Sequence, residues 1–384
     1  MSHSKPVILQ VLPELRSGGV ERGTVEVAKA IVDAGMEALV VSAGGKMVQE
    51  VEAVGAKHIY LPLQSKNPLT IYRNIGRLEK VINQYGVQIV HARSRAPAWS
   101  AFYAAQHAGC HFMTTFHGTY NFKGSLKHRY NSVMASGERV IAVSDFIRNH
   151  IIKNYDCSEN HIRLVHRGAD LTSFDPDKVS AERIEKLKDQ LGVAAGAPVI
   201  SLPGRITRWK GQGVLVDAVA KLRQHIESFQ CLLVGDYGKH AAFRNELEKK
   251  IKDYGLENMV KVTGPVKDMP ALYMLSDVVV SASTEPEAFG RVAAEAQAMG
   301  RLVVASDHGG SKETVIPGKT GWLVKPSDAD ALTDALKAAL LLEPQEKEMM
   351  SHRAREHIQQ QFSVAKMCDK TLAVYRELLP SESE

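Results

Sequence analysis

The strongest constraint on this chain is a repeated alternation between short runs of valine, isoleucine and leucine and segments with helical periodicity. The runs are continuously apolar, which is typical of strands buried on both faces of a sheet. Strands that alternate with helices predict βαβ units and therefore parallel sheets. In the first half, the predicted strands are Val7–Leu12, Ala38–Ser42, His58–Leu61, Val87–His91, Phe112–Phe116, Val140–Val143 and Ile162–Val165.

A turn-rich segment, residues 168–177, interrupts the alternation and predicts a linker between two domains. The length of 384 residues also favours two domains. Beyond the linker, the predicted strands are Val199–Leu202, Cys231–Val234, Val260–Val262, Val278–Ser281, Leu302–Ala305 and Trp322–Val324. The chain is then helical from Asp328 to about Leu379, with a break at Pro344. Because ligands bind outside the carboxyl ends of parallel strands, we expect the binding residues in the loops that follow them.

The composition argues against several classes of protein. An apolar fraction of 44% supports a folded core. The sequence contains no run of about 20 apolar residues, so it predicts no membrane-spanning helix. The apolar run near the N-terminus is too short for a signal peptide. Four separated cysteines without metal-ligand spacing argue against a disulfide scaffold and a zinc site. These features predict a protein of the reducing cytoplasm.

Positive charge is concentrated in the first half of the chain. Residues 1–170 contain 20 basic and 13 acidic side chains, a net charge of +7, whereas the remainder carries −2. A basic domain beside a near-neutral one is typical of a protein that meets an anionic partner. A general solubility surface explains the same asymmetry equally well.

Glycines after the first predicted strand point to a phosphate site. Gly18 and Gly19 stand at the start of a predicted helix, where backbone N–H groups and the helix dipole favour an anion. With Gly23 the spacing is GGxxxG rather than GxGxxG, and the chain has no Walker A loop. The pattern therefore argues against NAD binding and ATP hydrolysis. A tight strand–helix turn is the alternative interpretation.

The second domain begins with a loop that carries two cations. Gly204, Arg205 and Lys210 follow its first predicted strand, at the edge where ligands are expected. An arginine fork and a lysine point charge suit a diphosphate. Solvated loop cations are the alternative.

Two glutamates flank the start of a small, apolar helix. Glu287 and Glu295 are eight residues apart, a rise of about 12 Å if the segment is helical throughout. That length approximates a sugar–diphosphate–ribose chain, with one carboxylate for the sugar hydroxyls and one for the ribose diol. The backbone amides between them would face the diphosphate; they belong to Phe289, Gly290, Arg291 and Val292. A solvent-facing glutamate on an amphipathic helix is the alternative.

Histidine and arginine side chains follow two strands of the first domain. His117 comes directly after Phe112–Phe116 and precedes a glycine, so we expect it at the ligand-binding edge. His91, Arg93 and Arg95 at the end of Val87–His91 are weaker candidates. A core or surface histidine is the alternative for each of the two imidazoles.

Taken together, these motifs resemble a retaining glycosyltransferase of family four with the two-domain glycosyltransferase-B architecture. The resemblance rests on Gly18-Gly19, His117-Gly118, the Gly204–Gly211 loop and Glu287…Glu295, supported by residues 262–266, 307–313 and 318–324. It implies an α/β fold in which two Rossmann-like parallel-sheet domains face a cleft. Residues 1–170 plus 364–384 would form an acceptor-binding domain, and residues 175–363 a nucleotide-sugar donor-binding domain.

The resemblance also implies roles for single residues. Glu295 would hold the nucleotide ribose, and Glu287 the donor sugar hydroxyls. Arg205 and Lys210 would stabilise the leaving diphosphate. The remaining implied contacts are the backbone of Ala288, Phe289 and Gly290 to the sugar, Gly19 to the diphosphate, His117 to an outer sugar hydroxyl and the main chain of Val266 to the base.

The predicted reaction needs neither a metal nor a cofactor. No Asp-x-Asp pair stands at a strand end and no metal-ligand cluster exists in the sequence, and cations with helix N-termini can stabilise a leaving group in place of a metal. The resemblance implies transfer of a hexose from a UDP- or GDP-sugar with retention, and we expect front-face attack. One departure is His166-Arg167-Gly168 before the linker, where the family often has Asn-Gly. The alternatives are a sugar-nucleotide epimerase and a non-catalytic sugar-nucleotide-binding protein.

A basic segment after His117 suggests the acceptor. Cations at Lys123, Lys127, His128 and Arg129 interleave with Phe122, Leu126 and Tyr130, a pattern typical of segments at an anionic membrane surface. Arg93 and Arg95 would extend the same basic wall. We therefore expect a cell-envelope acceptor, such as a lipopolysaccharide core or a lipid-linked saccharide, reached from the inner face of the cytoplasmic membrane. A solvated helix face and a soluble acceptor are the alternative.

Overall fold

The computed structural model describes residues 5–16, 18–120, 124–238 and 241–380. The chain divides into two compact units, residues 1–167 with 364–384 and residues 168–363. Each unit contains one parallel sheet covered by helices, so the predicted α/β fold with two Rossmann-like domains is confirmed.

The first unit is built from seven strands and seven α-helices among its described residues. In chain order they are β1 (Val7–Val11), α1 (Gly19–Asp33), β2 (Glu37–Ser42), α2 (Val48–Ala53), β3 (Lys57–Tyr60), α3 (Pro68–Tyr85), β4 (Ile89–Ala92), α4 (Arg95–Ala108), β5 (His111–Phe116), α5 (Ser125–Ser132), β6 (Arg139–Ala142), α6 (Asp145–Asn154), β7 (Ile162–Leu164) and the C-terminal α15 (Val364–Arg376). The sheet order is β3-β2-β1-β4-β5-β6-β7. The order reverses between β1 and β4, and ligands of such sheets bind at the carboxyl ends beside that reversal.

The second unit contains six strands in the order β10-β9-β8-β11-β12-β13. Its described elements are α7 (Ala181–Leu191), β8 (Val199–Pro203), α8 (Gln212–Leu222), β9 (Gln230–Val234), α9 (Ala241–Asp253), β10 (Val260–Gly264), α10 (Met269–Leu275), β11 (Val278–Ser281), α11 (Arg291–Ala298), β12 (Leu302–Ser306), α12 (Ser311–Thr314), β13 (Trp322–Val324), α13 (Ala329–Leu340) and α14 (Pro344–Gln361). Here the order reverses between β8 and β11, so the loops after these two strands lie at the expected binding edge.

Local signals explain several element boundaries. The side chain of Asn67 accepts a hydrogen bond from the Leu69 N–H at 2.9 Å, Pro68 opens α3, and Gly86 ends it with φ 62°. These are the residues that helix ends favour, because they satisfy free N–H groups or adopt the left-handed conformation. Strand β1 is buried along its whole length, as expected for a strand between two helical layers.

The C-terminal helix α15 completes the core of the first unit. Met367, Leu372 and Tyr375 of this helix pack with the apolar side chains of α1 and the central strands. At its end, Glu377 accepts hydrogen bonds from Arg139 at 2.6 Å and from Arg163 at 2.7 Å. These two arginines hold the pKa of Glu377 at about 2, although partial burial opposes them.

Candidate active site

Two loops meet at the strand-order reversal of the second unit. The Thr284 N–H donates to the Trp209 carbonyl at 2.7 Å, and Gly211 approaches Ala282 so closely that a Cβ would lie 1.8 Å from the Ala282 oxygen. Gly211 also adopts φ +77°, a conformation that only glycine adopts readily. The glycine of the predicted cation loop therefore allows the loop after β8 to pack against the segment after β11.

This packing places Lys210 beside Glu287. The Lys210 ammonium donates to Glu287 Oε1 at 2.8 Å, and each side chain is 13% exposed. The Ser283 hydroxyl donates to the same oxygen, and the ammonium lies 4.4 Å from the centre of the Trp209 ring. Burial alone would raise the pKa of Glu287, but Lys210, Ser283 and His308 hold it below its ordinary value. Glu287 is therefore an ionised carboxylate in a mostly buried setting.

The backbone after Glu287 is fixed by a second glycine pair. The Gly310 N–H donates to the Glu287 carbonyl at 2.8 Å. A Cβ at Gly309 would lie 2.4 Å from the Glu287 oxygen, and a Cβ at Gly310 would lie 2.4 Å from Phe289 Cα. Both positions exclude larger residues. The 307–313 segment has no role predicted from the sequence. Its two adjacent glycines are the signal that could have predicted this close backbone contact.

Gly290 turns the chain into α11. It is the N-cap residue of this helix and has φ 85°. Because glycine has no side chain, it makes no capping hydrogen bond to the first amides of α11, which belong to Arg291 and Val292. Free N–H groups at a helix start favour an anion. The amides predicted to face a diphosphate thus lie four and five residues after Glu287 in the chain.

Arg205 differs from Lys210 in its environment. The residue is exposed, and among the described residues its guanidinium has no hydrogen-bond or ion-pair partner. Its backbone carbonyl accepts a bond from the Gln212 amide at 2.9 Å, which fixes the loop rather than the side chain. Gly204, just before it, packs against the Lys210 stem, with 3.6 Å between its Cβ position and Lys210 Cδ. Arg205 is thus a cation with all its side-chain donors available.

Glu295 lies on α11 and is only 7% exposed. The Tyr273 hydroxyl donates to its Oε2 at 2.8 Å and Arg291 donates to its Oε1 at 2.7 Å. A carboxylate has about four acceptor positions, so both oxygens keep capacity for a further hydrogen bond. Tyr273, in α10, was missed by sequence reasoning because that short helix was not predicted. Burial and the nearby Glu295 raise the pKa of Tyr273 well above its ordinary value, so the phenol remains a donor.

Val266 lines a cavity of about 470 Å³ at the edge of the second sheet. Its other walls include Thr263 of β10, Pro265 and Lys267 from the loop after β10, and Leu187 from α7. The predicted contact of the Val266 main chain with a nucleotide base remains a prediction.

In the first unit, the structure corrects the role of Arg93. Its side chain was predicted to belong to a basic acceptor or membrane wall, but the residue is only 4% exposed. Its guanidinium donates to Gln10 at 3.1 Å and lies against Gly23, where a Cβ would come within 3.1 Å of it. Because Arg93 is enclosed between β1 and α1, it cannot contact a bilayer. Gln10, a polar residue inside a buried strand, is the signal that could have predicted this.

Arg95 lies nearer the surface but is bound to the protein. Its guanidinium donates to Asn131 at 2.9 Å and lies 4.3 Å from the centre of the Tyr120 ring. Its predicted place in a basic acceptor wall stays a prediction.

Gly18, with φ 147°, precedes α1, and Glu21 folds back to within 2.6 Å of the position that a Cβ of Gly18 would occupy. Gly19 begins α1.

His117 and His91 differ in how their rings are satisfied. The two nitrogens of His91 are hydrogen-bonded to Tyr375 and Thr115 at 2.7 Å each, so His91 is a core histidine rather than a ligand-binding one. Both nitrogens of His117 are buried and have no partner within the described part of the chain. Burial, followed by Arg167, Arg93 and His91, lowers the pKa of His117 well below its ordinary value. His117 is therefore a neutral imidazole with two open positions.

The basic segment after His117 forms the short helix α5. Lys127 and Arg129 are exposed, and Leu126 is 85% exposed. His128 points inward instead, hydrogen-bonded to the Asn154 carbonyl at 2.6 Å and stacked on Tyr155; its predicted place among the outward cations is wrong. Lys123 and Phe122 lie outside the described residues. None of the described helices combines the length and apolar composition that a bilayer span requires.

Matches to known proteins show the family of this chain. The family model "Glycosyl transferases group 1" matches residues 183–357, and "Glycosyltransferase Family 4" matches residues 17–173. A glycosyltransferase from Rickettsia africae ESF-5, solved by crystallography, is 40% identical, with a TM-score of 0.91 over 99% of this chain and 100% of that one. The chain belongs to the group 1, family 4 glycosyltransferases. The predicted family is thereby confirmed.

More distant members of the glycosyltransferase group match in part or in fold. The D-inositol 3-phosphate glycosyltransferase of Saccharomonospora viridis is 32% identical over 254 residues, which are 64% of this chain and 57% of that protein. The chain thus spans little more than half the length of the curated relatives it matches. Anabaena Alr3699/HepE, solved with UDP-glucose, is 25% identical with a TM-score of 0.82, covering 97% of this chain and 99% of that one.

The second-unit residues that the sequence predicts for the donor lie mostly in the loops at the strand-order reversal of the second sheet, whereas Gly18 and Gly19 belong to the first unit. Lys210 and Glu287 are in direct contact, Gly290 and Glu295 belong to the helix that follows, and Arg205 shares the loop of Lys210. Val266 follows β10, at the far side of that sheet from β13. Sequence reasoning missed Ser283, Tyr273 and His308, which contact or face the two glutamates.

Proposed function

We propose that the protein is a retaining glycosyltransferase that moves a hexose from a UDP- or GDP-sugar to a hydroxyl group of a cell-envelope glycan. The observation that carries the proposal is the mostly buried Lys210–Glu287 pair at the strand-order reversal of the second unit. Burying two charges is costly unless each is well compensated. A polar ligand that engages both groups gives a reason for this arrangement.

The donor roles follow from the chemistry of each group. Glu287 is ionised and accepts hydrogen bonds only, so it suits the hydroxyl groups of a sugar. Arg205, with its donors available, and Lys210 suit the diphosphate, together with the α11 amides after Gly290. Glu295 retains acceptor capacity for the ribose diol.

Departure of the nucleotide would be driven by electrostatics. Negative charge grows on the diphosphate as the glycosidic bond breaks, and fixed cations and amides stabilise that charge without a metal. The departing phosphate oxygen would accept the proton of the attacking hydroxyl on the same face of the sugar, which gives retention. The roles implied for Gly19 and His117 stay predictions; the neutral ring of His117 would suit a sugar hydroxyl.

Other observations support the choice of donor and acceptor. HepE was solved with UDP-glucose, which favours a UDP-sugar as the first donor to test. The relative from S. viridis is named for D-inositol 3-phosphate, and a basic first unit suits an anionic acceptor. We propose that exposed Leu126, Lys127 and Arg129 bring the enzyme to the anionic inner face of the cytoplasmic membrane.

Titration calorimetry with UDP-glucose and GDP-mannose, with and without EDTA, tests the donor proposal. We expect one of the two to bind with the same affinity in both buffers. Anomeric retention is then read from the proton coupling constant of the transferred sugar by NMR. Loss of binding in EDTA would refute metal independence, and an inverted product would refute retention. Conversion of the donor sugar without any acceptor would identify an epimerase instead.

Vesicle sedimentation tests the membrane proposal. A cation near an anionic bilayer contributes about 1 kcal/mol, so K127S/R129S should bind anionic vesicles about 30-fold more weakly than the wild type at low salt. The control K249S/K252S removes two exposed lysines from α9 of the other unit. Equal weakening by the two double variants, or no wild-type binding, would refute the membrane contact and favour a soluble acceptor.

A further inference from the structure

His308 is the second residue after β12, in a segment that packs against the loop that begins at Glu287. Its backbone N–H donates to the Ser306 carbonyl at 2.8 Å. The next two residues, Gly309 and Gly310, are in contact with the Glu287 and Phe289 backbone, as their 2.4 Å Cβ approaches show. The backbone after His308 is therefore held against the Glu287 segment, and His308 is near enough to contribute to the lowered pKa of that carboxylate.

The imidazole of His308 lacks the partners that buried polar groups normally have. Both ring nitrogens are buried, and neither has a hydrogen-bond partner within the described part of the chain. Most buried polar side-chain atoms in proteins are hydrogen-bonded, so an unsatisfied ring calls for an explanation. His225, in contrast, is an exposed histidine of the same unit whose ring is free to contact water.

Hydrogen-bonding capacity decides which part of the donor the ring would meet. Glu287 accepts only, whereas an imidazole donates from at least one ring nitrogen. A sugar hydroxyl that donates to Glu287 still has lone pairs that an imidazole N–H can reach. The cations Arg205 and Lys210 and the α11 amides already suit the diphosphate, so the unmatched donor beside Glu287 is best complemented by the sugar.

We propose that His308 is a specificity-determining residue that hydrogen-bonds a hydroxyl of the donor hexose next to the one held by Glu287. This inference rests on the proposed function and deepens it by naming the side chain that reads the sugar. A site whose polar groups hydrogen-bond a ligand hydroxyl discriminates against ligands that lack this hydroxyl, because the polar groups of the site then stay unpaired. His308 should therefore matter for the hexose and not for the nucleotide.

Calorimetry with UDP and UDP-glucose, or with GDP and GDP-mannose if the wild type prefers guanine, tests the inference. H308F should bind the nucleotide sugar about tenfold more weakly, or about 1.4 kcal/mol, and the sugar-free nucleotide as the wild type does. H308Q keeps a donor and an acceptor and should stay within about threefold of the wild type. H225F is the matched control and should change neither affinity.

The outcomes separate the two levels of the proposal. If the wild type binds neither nucleotide sugar, the proposed function fails and the inference fails with it. If the wild type binds its donor and H308F binds it equally well, only the role of His308 is refuted. Equal weakening of nucleotide and nucleotide sugar in H308F also refutes it, because that result describes a diphosphate or folding role. Melting curves of H308Q and H308F confirm that folded protein is compared.

Discussion

Replacing Lys210 with methionine removes the cation from a mostly buried pair and leaves Glu287 without its main counter-charge. Each partner is 13% exposed, so solvent screens the remaining carboxylate only weakly. Removing one member of a buried pair costs about 3–5 kcal/mol, and the residual exposure places K210M near 3 kcal/mol. For a unit of this size, that loss corresponds to a melting temperature about 6–12 °C lower.

The same substitution has a distinct pH dependence. In the wild type, the pKa of Glu287 is lowered, so the pair stabilises the protein above the unfolded pKa and this contribution is lost as the pH falls through the folded pKa. In K210M, burial dominates and should raise the pKa of Glu287 above its ordinary value. The ionised carboxylate then destabilises the variant, and the difference from the wild type should shrink as the pH falls from 7 to 4.

Scanning calorimetry of the second-unit transition at pH 7 and pH 4 measures these effects. The double variant K210M/E287Q carries no unpaired charge and should recover most of the lost stability. K221M is the matched control, because the Lys221–Asp330 pair is 47% and 79% exposed and such pairs contribute about 0–1 kcal/mol. A K210M that melts like K221M, or a double variant less stable than K210M, would refute the reasoning.

Three further predictions concern other parts of the chain. R205A should lower turnover by about 100–1000-fold, as loss of one transition-state donor does, while its exposed position leaves the melting temperature unchanged; steady-state kinetics and melting curves together check this. At pH values above the usual carboxylate pKa, E377Q should lower the free energy of unfolding of the first unit, measured with urea, by about 1 kcal/mol. This loss should vanish as the pH falls from 4.5 towards about 2, where Glu377 of the wild type becomes protonated. G211A should destabilise the second unit by more than about 2 kcal/mol, since its Cβ would lie 1.8 Å from the Ala282 oxygen. The control G213A adds a Cβ that meets nothing within 4 Å, so it should be neutral or slightly stabilising. Equal melting temperatures of the two variants would contradict the close approach of Gly211 to Ala282.

The sheets could be predicted from sequence because both depend on a local pattern. Continuous apolar runs identify strands such as β1 and β11, and the alternation with helices predicts parallel order. Helix α7 was missed because Leu187 is its only buried residue, so periodicity is weak there. Its end signals were present, however: Ser180 caps the first turn and Gly192 ends the helix with φ 61°.

The site was only partly predictable, because its geometry depends on contacts between distant segments. The residue types at 205, 210, 287 and 295 indicated diphosphate and sugar chemistry, but the direct Lys210–Glu287 contact joins residues 77 positions apart. Arg93 looked like a surface cation, and only the approach of β1 and α1 encloses it. The segment 307–313 supported the family resemblance without giving His308 a role, and the buried, unpartnered ring nitrogens of His308 are visible only in the structure, where Gly309 and Gly310 pack against the Glu287 segment.

The central claim is that the Lys210–Glu287 site of the second unit binds and activates a nucleotide-sugar donor. Its most direct test is nucleotide release from UDP-glucose and GDP-mannose by the wild type and by K210M/E287Q, both in EDTA. We expect the wild type to release UDP or GDP slowly by donor hydrolysis and the folded double variant to release at least 100-fold less. Equal release by the two proteins would contradict the claim, as would no release by a wild type that is folded and saturated with donor.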